Sequence, residues 1–323
     1  MRTFTRALVT GGAGFVGSHL CEALLRSGTE VVCLDDLSTG LLENIELLNS
    51  YAGFTFIRHD ITEAPPDMGG FDLVAHLACP ASPLHYARLG LETLRVGSDG
   101  TRHALDIARA HSARFLLAST SEVYGDPHVH PQSESYWGNV NPIGPRSVYD
   151  ESKRYAEALT AAYARYHGTD VTIARIFNTY GPRMRTDDGR MIPAFVQQAL
   201  TGQPLTVNGD GTQTRSVCHV SDTVRGLLAL AGSDHPGPVN IGNPGEMSVA
   251  EMAKKVIALC DSPSAIEFRE AVADDPQRRC PDITLARESL GWAPEVEAEE
   301  GLCSTIDWFS HRLPGPAAEV NHL

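Results

Sequence analysis

Tyr149 and Lys153, a tyrosine and a lysine four positions apart, are the pair in this chain whose types and spacing most directly suggest chemistry. They open a stretch in which Tyr155, Ala156, Ala158, Leu159, Ala162 and Tyr163 supply an apolar face at helical spacing. Residues at i and i+4 share a helix face, so the Lys153 ammonium can lie near the Tyr149 phenol. A phenol titrates near about 10, and a neighbouring cation favours the phenolate. Such a base can take the proton of a substrate hydroxyl while a hydride leaves the same carbon. Taken alone, the spacing is a weak signal and fits an ordinary surface helix better. Its weight comes from two further clusters, one of glycines near the N-terminus and one of hydroxyls with a carboxylate at 120–122.

The apolar run Ala7-Leu8-Val9-Thr10 leads into Gly11-Gly12-Ala13-Gly14-Phe15-Val16-Gly17, and Leu20, Ala23, Leu24 and Leu25 follow in a helical pattern. Strand, glycine-rich turn and helix form the context in which such glycines cradle a dinucleotide. Gly11 permits the tight turn, Gly14 lets a pyrophosphate approach the backbone, and Gly17 lets helix pack on strand. Phe15 and Val16, between them, belong to the same cofactor site. A second run, Glu30 to Leu34, ends at Asp35, 18 residues after Gly17. A carboxylate there accepts hydrogen bonds from an adenosine ribose and, helped by Asp36, repels a 2′-phosphate, so NAD is expected rather than NADP. Phe54 to Ile61 reads as a third strand that presents Asp60 to the adenine.

The elements that must position these groups alternate. Asp72 to Ala78 and Arg114 to Ser119 read as the fourth and fifth strands, residues 91–111 as a helix, and Asp170 to Ile176 as a further strand. The fifth strand delivers Thr120, Ser121 and Glu122 at its carboxyl end, where ligands of a doubly wound sheet bind. His76, within the fourth, reads as a packed strand residue. This pattern predicts an α/β fold, a Rossmann-type doubly wound parallel sheet with a smaller α/β C-terminal substrate domain. The boundaries fall at 1–178 with a return contribution from about 216–243, then 179–215 and 244–312, then a tail at 313–323. A helix at 191–200, a hairpin-like 204–211 and helices at 246–260 and 292–309 furnish the second domain. Residues 126–146, with four prolines, form a long irregular loop of the kind that covers or builds a site.

At 323 residues the chain can bury a full core, and its formal charge of -14 argues against a nucleic-acid or anionic-membrane partner. The seven cysteines are scattered with no Cys-x-x-Cys pair, so no metal site is expected and reduced thiols in the cytoplasm are. No stretch is long and apolar enough to span a bilayer.

With fingerprint, Thr-Ser-Glu and Tyr-x-x-x-Lys in this order, the chain resembles the extended short-chain dehydrogenases/reductases of the nucleotide-sugar class. Within it the UDP-glucuronate decarboxylase family is the most similar, on three stretches. These are Ala118 to Arg146, Arg175 to Met184, and Asp274-Asp275-Pro276-Gln277 with Arg279 and Pro281-Asp282. The resemblance implies decarboxylation of a UDP-sugar through a 4-keto intermediate on bound NAD. Epimerisation at position four or 4,6-dehydration are the alternatives within the class. Tyr149, Lys153, Thr120, Ser121 and Glu122 would be catalytic, Glu122 as a proton relay. Asp35, Asp36, Ser38, Thr39 and Gly40 would hold the adenosine half, Asp60 and Ile61 the adenine; Leu77, Thr179 and Arg190 complete the cofactor side. Tyr163, Asn178, Val207, Arg215 and Arg279 would hold the UDP-sugar, and Arg95 falls where the family carries a lysine. The class also implies a homodimer joined through a four-helix bundle of helices 91–111 and 150–167. Two positions depart: Gly97 stands where most of the class has asparagine, and Glu92 where the decarboxylases are usually basic.

Overall fold

The computed structural model describes residues 2–270 and 278–313. The Asp274 to Gln277 stretch and nearly all of the expected tail lie outside the described residues. In chain order the strands are β1 Arg6–Thr10, β2 Glu30–Asp35, β3 Phe54–Arg58, β4 Leu73–His76, β5 Arg114–Thr120, β6 Val171–Ile176, β7 Thr179–Tyr180, β8 Leu205–Asn208, β9 Thr214–Ser216, β10 Cys218–His219, β11 Val239–Ile241, β12 Glu246–Ser248, β13 Ile266–Arg269 and β14 Arg278–Arg279. The helices are α1 Phe15–Arg26, α2 Leu42–Glu46, α3 Pro83–Arg88, α4 Gly90–Arg95, α5 Thr101–Ala110, α6 Ser147–His167, α7 Met191–Leu200, α8 Val220–Ala231, α9 Val249–Leu259, α10 Thr284–Leu290 and α11 Ala298–Ser310.

Among the described residues the main sheet is parallel throughout, in the order β11-β6-β5-β4-β1-β2-β3. Its inner strands are covered on both faces, which is why they read as apolar runs without alternation. On one face α1, α8 and α10 pack on Val9, Val31 and Ala75; on the other α5 and α6 pack on Leu8, Val74 and Phe115. Strand order reverses between β1 and β4, which opens a crevice at the carboxyl ends of the strands.

A separate core joins α7, α9 and α11 around Phe195, Val207, Met252 and Phe309. The hairpin expected at 204–211 is not there. β8 pairs in parallel with β13, some sixty residues on, so the Asn208-Gly209-Asp210-Gly211 turn ends a strand without returning it. Trp292 is not part of a helix reaching Phe309; it packs in the main-sheet core and donates to the Asp222 carbonyl at 3.1 Å. The helix expected from 246 starts at Val249, capped by Ser248 and Glu251 in a reciprocal capping box.

The 126–146 loop is strapped across both parts of the molecule. Gln132, fully buried, exchanges hydrogen bonds with the backbone of Cys280, and its carbonyl accepts from Asp282. His130 meets Glu246 at 2.9 Å.

Candidate active site

The carboxyl ends of the central strands open onto one continuous cleft of about 680 Å³ that runs on to β8, β9 and β14. At one end lies the glycine turn. Gly11 has a left-handed φ of 72°, and a Cβ there would press on the Ala78 backbone nitrogen at 2.6 Å. A Cβ on Gly17 would collide with the Gly11 carbonyl. Gly14 caps α1 without any side-chain hydrogen bond, and the first turn holds no acidic residue. Its free N–H groups therefore offer an anion site at the cleft wall. Asp35, at the end of β2, accepts from the Ala13 and Leu37 amides at 3.0 and 2.9 Å. Burial raises its pKa against those two bonds. A carboxylate has about four acceptor positions, so capacity for ribose hydroxyls remains. Asp36, Ser38, Thr39 and Gly40 line the same end, as do Phe15 and Val16. Asp60, Ile61 and Leu77 border it too. An uncapped helix end beside a buried carboxylate with acceptor capacity to spare fits a dinucleotide.

Tyr149 and Lys153 sit midway along the cleft, both buried. They share a helix face, yet the Lys153 ammonium donates to the Ala118 carbonyl at 2.9 Å. Burial pushes the Tyr149 phenol well above its ordinary range; a hydrogen bond from Thr120 and the Arg190 cation act against this. Arg190, to which the spacing did not point, is a further cation acting on the phenol. Arg190 is itself held by Asp188 in a two-point ion pair, at 2.5 and 2.8 Å. Tyr86 of α3 stacks on Tyr149, ring centroids 5.2 Å apart and planes within 10°.

Beyond Tyr149 the Glu122 carboxylate is gripped by two guanidiniums, Arg146 on one oxygen and Arg279 on the other. Burial alone would raise its pKa, but Arg279 and Arg146 together hold it below the usual carboxylate range. A carboxylate kept ionised in this way must take up a proton from water before it can pass one on. Arg279 also donates to the Gly125 carbonyl, is 5% exposed and lines the cleft.

Ser121, Asn178, Thr179 and Arg215 also line the cleft, and Arg95 stands at its mouth in an ion pair with Glu63. Glu92 is exposed and borders the same mouth. Two expected substrate residues lie elsewhere. The Tyr163 hydroxyl donates to Asp106 at 2.7 Å between α6 and α5, four turns from the catalytic end of its helix. Val207 points into the core around α7 and α9, because strand alternation sends Thr206 and Asn208, its neighbours, to the cleft.

The sequence reading passed over Arg146, Tyr86 and Asp150. A signal for two of them was present: Arg146, Tyr149, Asp150 and Lys153 follow at i, i+3, i+4 and i+7, one helix face. Tyr86 carried none, since α3 is a short helix with no periodic pattern.

A profile described as the NAD dependent epimerase/dehydratase family matches residues 7–242. The chain is 52% identical over 308 residues to "UDP-glucuronic acid decarboxylase 1" of Arabidopsis thaliana, covering 95% of this chain and 70% of that protein. It is 50% identical over 308 residues to "UDP-glucuronic acid decarboxylase 1" of Xenopus tropicalis, covering 95% and 73%. The solved UDP-glucuronic acid 4-epimerase of Bacillus cereus, in complex with UDP-glucuronic acid and NAD, superposes with a TM-score of 0.86 at 29% identity, over 96% of this chain and 100% of that one. The chain belongs to the NAD dependent epimerase/dehydratase family and, within it, groups with the UDP-glucuronic acid decarboxylases.

Proposed function

We propose that the protein converts UDP-glucuronate and a proton to UDP-xylose and carbon dioxide, with NAD as a cofactor that ends each cycle as it began. The observation that carries this reading is the cluster beside Tyr149. Two guanidiniums against one carboxylate leave a surplus positive charge where the sugar ring would lie, suited to a sugar acid. Relatives named for that activity, at 50–52% identity over 95% of the chain, supply the substrate.

Bound NAD would supply the acceptor for the hydride of sugar carbon four and the donor that restores it. Tyr149 takes the 4-hydroxyl proton, steadied by Thr120 and drawn toward the ionised form by Arg190. Lys153 binds the nicotinamide ribose, and Ser121 the sugar oxygen. With a ketone at carbon four, the carboxylate at carbon six is that of a β-keto acid; carbon dioxide departs and the electron pair moves onto the ketone oxygen. The protonated Tyr149 then hydrogen-bonds the enolate. Glu122, held between the two arginines, orients the ring and relays a proton from water to carbon five. Asn178 and Arg215 hold the nucleotide, and Arg95 guards the mouth. Closing of the strapped loop over the ring would favour loss of carbon dioxide, since charge disperses as it leaves.

The protein acts as a cytoplasmic homodimer in this reading. Seven free cysteines favour a reducing compartment, and among the described residues no helix is long and apolar enough to cross a membrane. The likeness to an epimerase that holds the same acid sugar supports 4-epimerisation as a second reading. Incubation with UDP-glucuronate and mass spectrometry separates the two: release of carbon dioxide with UDP-xylose is expected, and an isomer of unchanged mass would reject decarboxylation.

A further inference from the structure

Asp150 takes no part in the steps above. It follows Tyr149 on α6, one turn beyond Arg146. Its side chain is buried, the residue being 5% exposed, and its Oδ1 has no hydrogen-bond partner. A buried carboxylate with an unpartnered oxygen is disfavoured in its ionised form, which favours the neutral acid. The charged and titratable groups facing it come from several elements. They are Glu122 after β5, Arg279 on β14, Tyr86 on α3, and Arg146 and Glu151 along α6 itself. The helix α4, whose Gly90 packs on Val148, adds Glu92 and Arg95 at the cleft mouth. Burial and the Glu122 charge raise the Asp150 pKa to about 7, against the pull of Arg146 and Arg279. The same surroundings hold Glu122 ionised, so two neighbouring carboxyls are driven in opposite directions.

We infer that Asp150 sets the net charge of the Arg146–Glu122–Arg279 cluster, and through it the preference of the cleft for a sugar acid over a neutral sugar. Uncharged, Asp150 leaves the cluster one positive charge, which the substrate carboxylate takes up. Ionised, it cancels that charge. Asp150 borders the arginines and not the cleft, so it is a positioning residue that acts through them. The inference rests on the UDP-glucuronate reading above, and the two fail in distinguishable ways. Absence of carbon dioxide release from the unmodified enzyme removes the reading, whereas the charge-setting role is read from binding alone.

The probes are UDP-glucuronate and UDP-xylose, which share the UDP group and differ by the carboxylate, titrated by calorimetry into NAD-loaded Tyr149→Phe protein that binds without turnover. From pH 6 to 8.5 the affinity ratio of the acid over the neutral sugar is expected to fall about tenfold as Asp150 ionises. Adding Asp150→Asn should hold the ratio flat at its acid-side value, and Asp150→Glu should keep the fall while moving its midpoint. A flat ratio in Tyr149→Phe protein overturns the inference without any Asp150 variant, so misfolding of Asp150→Asn does not shield it. A fall that survives Asp150→Asn overturns it as well.

Discussion

At the scale of single residues, the tyrosine and lysine stand one helical turn apart, yet the surroundings of each decide what it does. Lys153 is held by a backbone carbonyl of β5, and burial raises the Tyr149 pKa, with Thr120 and Arg190 pulling the other way. The ligand-free protein should therefore show no tyrosinate absorbance from Tyr149 up to about pH 10, the ordinary phenol range; ionisation below that pH, absent from Tyr149→Phe, would contradict the burial argument. The same substitution should lower kcat by about 10²–10⁴-fold, the usual worth of a positioned acid–base group. NAD content of the purified protein should stay unchanged, because the adenosine end is built from β1, β2 and α1. Retained turnover would strip Tyr149 of its role as base. The spacing was legible in the sequence; the competing terms on the phenol were not, since each comes from a residue distant in the chain.

At the scale of elements, the apolar pattern from 91 to 111 reads as one helix, and the molecule breaks it into α4, a wider π-turn at Val96–Gly100 and α5. The break lies where α4 and α6 come into closest contact. A Cβ at Gly97 would meet the Ser152 Cβ at 2.6 Å and its carbonyl oxygen at 2.8 Å. At position 97, then, α6 leaves no room for a side chain. Gly97→Asn should then destabilise the fold by about 1–3 kcal/mol, the usual penalty of overpacking, seen as a lower Tm in calorimetry. An unchanged Tm would show that Ser152 can move aside. The hairpin expected at 204–211 is false because its turn residues are local and its true partner, β13, is not.

At the scale of the whole molecule, α4 and α6 carry large apolar side chains into solvent. Leu91 is 76% exposed, Tyr166 74% and Tyr155 52%. Patches of this kind mark interaction surfaces, and both helices belong to the pair expected to form a four-helix bundle. Light scattering should give a dimer mass, and Leu91→Glu with Tyr155→Glu should give a monomer of unchanged helical content. A monomer in the unsubstituted protein, or a dimer that survives both substitutions, would rule out that face. The sequence by itself determined the parallel sheet, the glycine turn with Asp35, and the tyrosine–lysine pair, because each is written in residues close together along the chain. The tertiary structure decided the rest: Glu122 between Arg146 and Arg279, Tyr86 over Tyr149, Val207 turned to the core, and Asp150 Oδ1 buried without a hydrogen-bond partner. Those contacts join segments more than twenty residues apart or depend on which face of a strand is buried, and electrostatics in a closed interior is set by neighbours in space rather than in sequence.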